Sequence, residues 1–244
     1  MLDRSTQLGG VPGLVHGFSD RLGGVSTGRF ATLNLGKRWG DAPQAVLDNH
    51  ARLAAAGGFS PEALRSVVQV HGAEVMAAAA LSADSRADGL SCARGDRRVV
   101  SVMTADCVPI LLADREGTVA AAVHSGWRGT AAGIAAVAVR ELVDRDARPG
   151  SLVAAIGPCI EQAAFEVGDE VAAQFDPAFV VRHGDDNPHV DLVAVVRAQL
   201  IEAGLQPSSI ERIGGCTHAH PDRWFSFRRD GAGIGQMLSF IGYP

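Results

Sequence analysis

The sequence predicts one α/β domain over residues 1–244, with a mixed sheet and helices on both of its sides. Three observations carry that expectation. Short continuous apolar runs at 99–103, 108–113, 119–123 and 152–156 read as strands covered on both faces, since a half-exposed strand would alternate. A long stretch of small and apolar residues at helical spacing follows the third run, as in a strand–helix unit. No repeat, low-complexity tract or linker interrupts the chain, and 47% hydrophobic with 20% charged residues is ordinary for a folded protein.

The elements follow in order. Residues 1–40 are punctuated by Gly9-Gly10, Pro12-Gly13 and Gly23-Gly24, which predicts short strands and loops around pieces such as Leu14–Phe18. Residues 43–56 read as a helix that stops at Gly57-Gly58. Ser60-Pro61 opens a short helix, with Ser60 as its N-cap. Residues 65–70 read as a strand delivering His71. The main helix runs from 127 to 143, closed by Arg148-Pro-Gly150. Further helices are expected at 168–175 and at 192–203, the latter capped by Asp191, and a strand at 210–213. Residues 224–231 read as a strand followed by a turn.

Composition removes several function classes. A net charge of −5 lacks the basic footprint of a nucleic-acid binder. Lys37 is the only lysine, so there is no Walker lysine, and Tyr243 is the only tyrosine. The four cysteines, at 92, 107, 159 and 216, form no Cys-x-x-Cys pair and no disulfide framework. No apolar run approaches the roughly 20 residues of a membrane span, and the N-terminus lacks a signal-peptide core. A reducing cytoplasm is the expected location, and a monomer or small homo-oligomer the expected state.

Two stretches carry the chemistry: Thr104-Ala-Asp-Cys107 and Ala122-Val-His124-Ser-Gly-Trp-Arg128-Gly129. With His71 in Gln69-Val-His-Gly72 they offer one thiol and two imidazoles. That is the ligand count of a catalytic zinc site with an open fourth position. The same Cys107 and His124 also suit a thiolate nucleophile and its base. Gln69 or Glu74 can orient His71 from behind, and Asp106 or Glu74 can move protons. Arg128 in the first turn of the helix opening at Trp127 suits phosphate, through its guanidinium and the free N–H groups there. Cys92 and Cys159 read as packing residues. Cys216, His218 and His220 form a weaker metal cluster, and Arg228-Arg229-Asp230-Gly231 a hairpin end able to grip an anion.

Motifs occur in a fixed order along the chain: His16-Gly-Phe-Ser, Arg21-Leu-Gly-Gly-Val-Ser, Leu33-Asn-Leu-Gly36, Gln69-Val-His-Gly72, Ala87-Asp-Gly89, Thr104-Ala-Asp-Cys-Val-Pro109, the His124 stretch, Ile156-Gly-Pro-Cys159, Phe165-Glu-Val-Gly168 and Phe225-Ser-Phe-Arg-Arg-Asp-Gly231. Together they resemble the YfiH family, also called laccase-domain or polyphenol-oxidase-like proteins and peptidoglycan editing factors. The resemblance runs from about residue 14 to the C-terminus. It implies an α/β domain similar to a toxin-related (CNF/YfiH-like) group of cysteine hydrolases. It implies a metal, zinc or alternatively copper, on His71, Cys107 and His124, which would also be the catalytic residues. It implies phosphorolysis of adenosine, inosine, guanosine or methylthioadenosine, with adenosine deamination beside it, so the partners are purine nucleosides and phosphate. By motif match Asn34 and Arg128 are the substrate and phosphate residues. Ser125 stands where the family more often has alanine. A Cys107/His124 hydrolase editing a peptidoglycan precursor is the alternative. A laccase is a second one, although eight histidines with a single His-x-His pair are few for several coppers.

Overall fold

In the computed structural model, residues 1–184 and 186–244 are described. The strand β1 (Leu2–Asp3), the one-turn helix α1 (Thr6–Gly9) and β2 (Val15–Ser19) open the chain, and α2 (Pro43–Gly57) follows. Then come β3 (Leu64–Arg65), β4 (Val75–Ala77), β5 (Gly89–Ala93), β6 (Val99–Thr104), β7 (Val108–Asp114) and β8 (Val119–Ser125). Helices α3 (Trp127–Ala131) and α4 (Ile134–Val143) lead into β9 (Leu152–Ile156). The remainder holds α5 (Asp169–Ala172), the short β10 (Val180–Val181) and β11 (His189–Val190), α6 (Leu192–Glu202), β12 (Ile210–Arg212), α7 (Phe227–Asp230) and β13 (Met237–Gly242). No helix among the described residues is long and apolar enough to cross a membrane.

The strands form two mixed sheets, not one, apart from β10 and β11, which pair antiparallel with each other. The larger has the order β12-β9-β7-β8-β5-β4, and the smaller β1-β2-β13-β6-β3. Their parallel pairs lie at the edges: β12 with β9, β5 with β4 and β6 with β3. The period-2 alternation of side chains decides how they stack. On β7, Ile110 and Leu112 point to a core shared with α4 and α6, while Leu111 and Ala113 point to a second core. That second core also holds Val100 and Val102 of β6 and Ile241 of β13, so it lies between the sheets. Leu238 and Phe240 face the other way, onto Leu53 and Ala54 of α2. The α/β expectation with helices on both sides is met by four layers: α4/α6, large sheet, small sheet, α2. Alanines on the shared face (Ala113, Ala120, Ala122, Ala155) leave room for the second sheet.

Local differences from the expected elements have local causes. The 127–143 helix breaks at Gly133, whose φ of 78° ends α3 and starts α4. The expected strand at 65–70 stops at Arg65, because the Gln69 side chain occupies the edge of β6: it donates to Met103 O (2.9 Å) and accepts from Met103 N (2.8 Å). Ser60 gives no backbone cap; its hydroxyl turns to the Glu62 carboxylate, and Pro61–Ala63 is a single 3₁₀ turn. Residues 227–230 are a helical turn rather than strand and turn, because Ser226 Oγ accepts from Arg229 N. The expected helix at 168–175 shortens to α5, whereas α6 carries the Asp191 cap, accepting from Ala194 N at 2.9 Å.

His16 on β2 is buried. Its Nε2 accepts from Ser5 N at 3.0 Å, and its Nδ1 has no partner among the described residues. Burial, reinforced by the nearby Arg4 cation, lowers its pKa to about 4. The unfolded chain therefore takes up a proton that the fold refuses. Stability is full above about pH 6.5 and falls as the pH drops towards 4, by about 3 kcal/mol from this residue. Denaturant unfolding across that window should show a steeper slope for the native chain than for His16→Gln; equal slopes would refute the assignment.

Candidate metal centre

Three segments meet at one point. Cys107 sits in the link between β6 and β7, His124 near the end of β8, and His71 in the loop before β4, with the left-handed φ of 59°. Their ligand atoms all lie within 4.8 Å of one another, and the two imidazoles meet edge to face at 4.8 Å between centroids. A soft thiol and two borderline nitrogens at one focus are the donor chemistry of zinc or copper. This cluster can hold a metal ion. It is the one such cluster of three or more His, Cys or carboxylate groups among the described residues.

The fully buried Asp88, in the turn before β5, ties two of these segments together, the His71 loop and the end of β8. Its Oδ1 lies 2.8 Å from His124 Nδ1 and accepts from His71 N at 2.9 Å. Its Oδ2 accepts from Gly72 N at 2.6 Å and from Val70 N at 3.3 Å. Its backbone O accepts from His124 N at 2.7 Å. With Nδ1 engaged, His124 leaves Nε2 for the cluster, which is the carboxylate–histidine–metal arrangement. Burial alone would raise the Asp88 pKa, but His124 and the N–H donors outweigh it and hold the pKa below the usual value. The same contest runs at the ligands. Burial opposes a Cys107 thiolate, yet His124 and His71 lower its pKa to about 6. Burial opposes a charged His124, yet Cys107 and Asp88 raise it to about 9.

Glycine at 126 is a packing requirement. A Cβ there would stand 2.9 Å from His71 Nδ1 and 3.3 Å from Cys107 Sγ. A Cβ at Gly129 would meet Gly72 O at 2.5 Å, so α3 presses against the His71 loop. The centre opens into a cavity of about 850 Å³, within the size range of small-molecule sites. Trp39, Phe165 and Phe227 supply flat apolar surface to it, and Lys37, Arg38, Arg86 and Arg228 supply positive charge. Trp39 and Phe227 face each other at 6.4 Å and 27°.

The other expected site residues lie elsewhere. Arg128 is exposed, its guanidinium 4.2 Å over the Trp127 ring, and it is outside the cavity lining; α3 itself is a five-residue helix. Asn34 is buried and its amide is spent inside the fold, on Gly36, Asp41 and Gln236 N. Gln69 holds β6, and Glu74 is exposed and offers its backbone O to Asp88 N; it is Asp88 that fixes the His71 backbone, through His71 N. Asp106, at φ 99°, accepts from Thr217 Oγ1 at Oδ1 (2.6 Å) and from Arg228 N at Oδ2 (2.6 Å), so it fastens the Cys107 link to α7. Cys92 and Cys159 are buried thiols pushed up to about 12, first by burial. Cys216 Sγ accepts from Glu161 N at 3.4 Å, and no three-ligand cluster forms with His218 and His220 among the described residues. The Ser125 hydroxyl pairs with Thr130 Oγ1 at 2.7 Å.

Sequence reasoning missed Asp88 as the orienting group, although Ala87-Asp-Gly89 stood among the motifs. A carboxylate between two small residues ahead of a buried strand was the available signal. It also left the cations around the cavity unconnected to the His–Cys–His centre.

A family described as multi-copper polyphenol oxidoreductase laccase matches residues 15–244. A Deinococcus radiodurans protein named purine nucleoside phosphorylase is 40% identical over 232 residues, covering 94% of this chain and 89% of that protein. The Escherichia coli protein named purine nucleoside phosphorylase YfiH is 37% identical, covering 91% of each. The crystal structure of YlmD from Geobacillus stearothermophilus superposes with a TM-score of 0.88 at 30% identity, covering 98% of this chain and 94% of that one.

Two substitutions probe the centre. Asp88→Asn should weaken zinc binding about 10–100-fold in a chelator competition; affinity equal to the native chain would remove Asp88 from its organising role. Gly126→Ala should likewise lower metal content while far-ultraviolet circular dichroism stays native; full metal occupancy would contradict the crowding described above.

Proposed function

The chain belongs to the YfiH, or laccase-like, family, and on that premise we propose that it is a zinc-dependent purine nucleoside phosphorylase working in this cavity. Adenosine, inosine, guanosine and methylthioadenosine are the proposed substrates, and residues 1–244 one catalytic domain. The observation that carries the reading is the convergence, in one cavity of suitable size, of a His–Cys–His centre, aromatic walls and cations that have no carboxylate partner among the described residues. The names of the relatives supply the reaction class.

Phosphorolysis breaks the bond from C1′ of the ribose to the purine nitrogen and forms a C1′–O bond to phosphate, while the purine takes up a proton. A zinc ion on His71, Cys107 and His124 would supply a Lewis acid with one open position. The chain's own residues do the rest. Trp39 and Phe227 offer stacking surface to the purine. Arg228 is the phosphate residue in this reading, in place of Arg128. Its backbone N–H is anchored on Asp106, next to Cys107, and its guanidinium lies 5.4 Å over Phe165. Asp88 holds His124 in one tautomer throughout. Adenosine deamination would be a side reaction of the same centre.

The line Asp88–His124–Cys107 favours a second reading, a cysteine hydrolase without metal acting on a peptidoglycan precursor. A copper oxidase is less well supported, since the described residues hold one cluster where several coppers need several.

Base release from inosine, with and without phosphate, decides between them. The native chain should release hypoxanthine and ribose 1-phosphate only with phosphate present, and Cys107→Ala should lose more than 100-fold of that rate while remaining folded. Equal release by the variant would end the metal-centred account. Absence of release, with rapid alkylation of Cys107 in zinc-saturated protein, would favour the hydrolase.

A further inference from the structure

The chain has 22 basic and 27 acidic residues, yet four of the basic ones line one cavity against a single carboxylate, Asp106. That carboxylate is already taken by Thr217 and Arg228 N. Among the described residues no carboxylate lies within ion-pair distance of Lys37, Arg38, Arg86 or Arg228. An acidic protein thus keeps positive charge without a carboxylate partner, among the described residues, around this cavity, which focuses anions there.

One co-substrate phosphate does not account for this arrangement. Arg228 stands on α7, bound through its backbone to the residue before Cys107. Lys37 and Arg38 are exposed and precede Trp39, with the Arg38 guanidinium 4.8 Å over the Trp39 ring. Arg86 is also exposed, and its backbone bridges Val68 on the loop that ends at His71. The cations therefore come from separate segments around the aromatic surface. A purine nucleoside is uncharged, so these groups have no partner in the nucleoside itself.

We propose that the preferred substrate is a nucleoside carrying its own phosphate, a purine nucleoside 5′-monophosphate, whose phosphate is held by Lys37, Arg38 and Arg86. This rests on the reading of the cavity as a purine nucleoside site. Phosphorolysis of such a substrate breaks the C1′–purine bond and forms the C1′–O bond to the incoming phosphate. The purine takes the proton, and ribose 1,5-bisphosphate leaves in place of ribose 1-phosphate. The attraction is charge-assisted and partly exposed, so it weakens as salt screens it.

Calorimetric titration of the zinc-loaded full chain with inosine and with inosine 5′-monophosphate tests the binding claim independently of turnover. The monophosphate should bind at least 10-fold more tightly at low salt. That ratio should shrink in 0.5 M sodium chloride and fall to about 1 in Lys37→Ala/Arg38→Ala/Arg86→Ala. Equal binding of the two ligands, or a ratio unchanged in the triple variant, would overturn the proposal. If both ligands bind with the expected ratio and neither releases base, the anion site stands and the phosphorylase reading fails. If inosine alone is turned over and binds as well as its monophosphate, the phosphorylase reading stands and this inference fails.

Discussion

The Asp88 carboxylate is the constraint on which the site depends. It is buried without a cation from lysine or arginine, and its charge is met by the His124 imidazole and by three backbone N–H groups, those of Val70, His71 and Gly72. A buried carboxylate is costly unless its lone pairs are satisfied. Here the satisfaction of that cost is also what places two imidazoles beside Cys107. One ionic group thereby links the turn before β5, the loop before β4 and the end of β8. The backbone O of the same residue binds His124 N, so the carboxylate and its partner move as one unit.

The stacked sheets supply the rigid ground for this arrangement. β7 and β8 are buried along their whole length, packed on helices by one face and on the second sheet by the other. Cys107 precedes β7 and His124 lies near the end of the antiparallel β8, so the two reach the same end of the hairpin. The wall opposite is less regular. It consists of the segment around Trp39, the 66–71 loop and α7, joined to the rigid side by Gln69 on β6 and by Asp106 on α7. Side chains held by rigid strands suit a centre that needs a fixed geometry, while loops carry the surfaces that meet the ligand.

Much of this was legible in the chain, and the rest was hidden for definable reasons. Continuous apolar runs identified β6 to β9, because burial of both faces leaves no other pattern. They did not tell that one covering layer is a second sheet: β2 and β13 come from opposite ends of the chain and pair only in space. The helix at 43–56 could be read from its glycine stop, and Gly58 indeed adopts a φ of 79°. The pattern after Trp127 reads as one continuous helix, because Gly133 is compatible with a helix until its φ is known. His71, Cys107 and His124 were recognisable from their types and neighbours, and the fold brings them together. Asp88 was not, since a lone Asp-Gly reads as a turn. Arg128 reads as a phosphate residue from its place in the first helical turn and its motif, and Asn34 from its motif; neither pattern reveals that one lies over Trp127 and the other is consumed by Gly36, Asp41 and Gln236.

The proposed centre has His71, Cys107 and His124 holding one metal with one position open. X-ray absorption at the zinc edge of the loaded protein tests it directly. The expected first shell is one sulfur at about 2.3 Å and two imidazole nitrogens at about 2.0–2.1 Å, with a further light-atom ligand that exogenous phosphate perturbs. A first shell without sulfur, or one closed by four protein ligands and indifferent to phosphate, would contradict it.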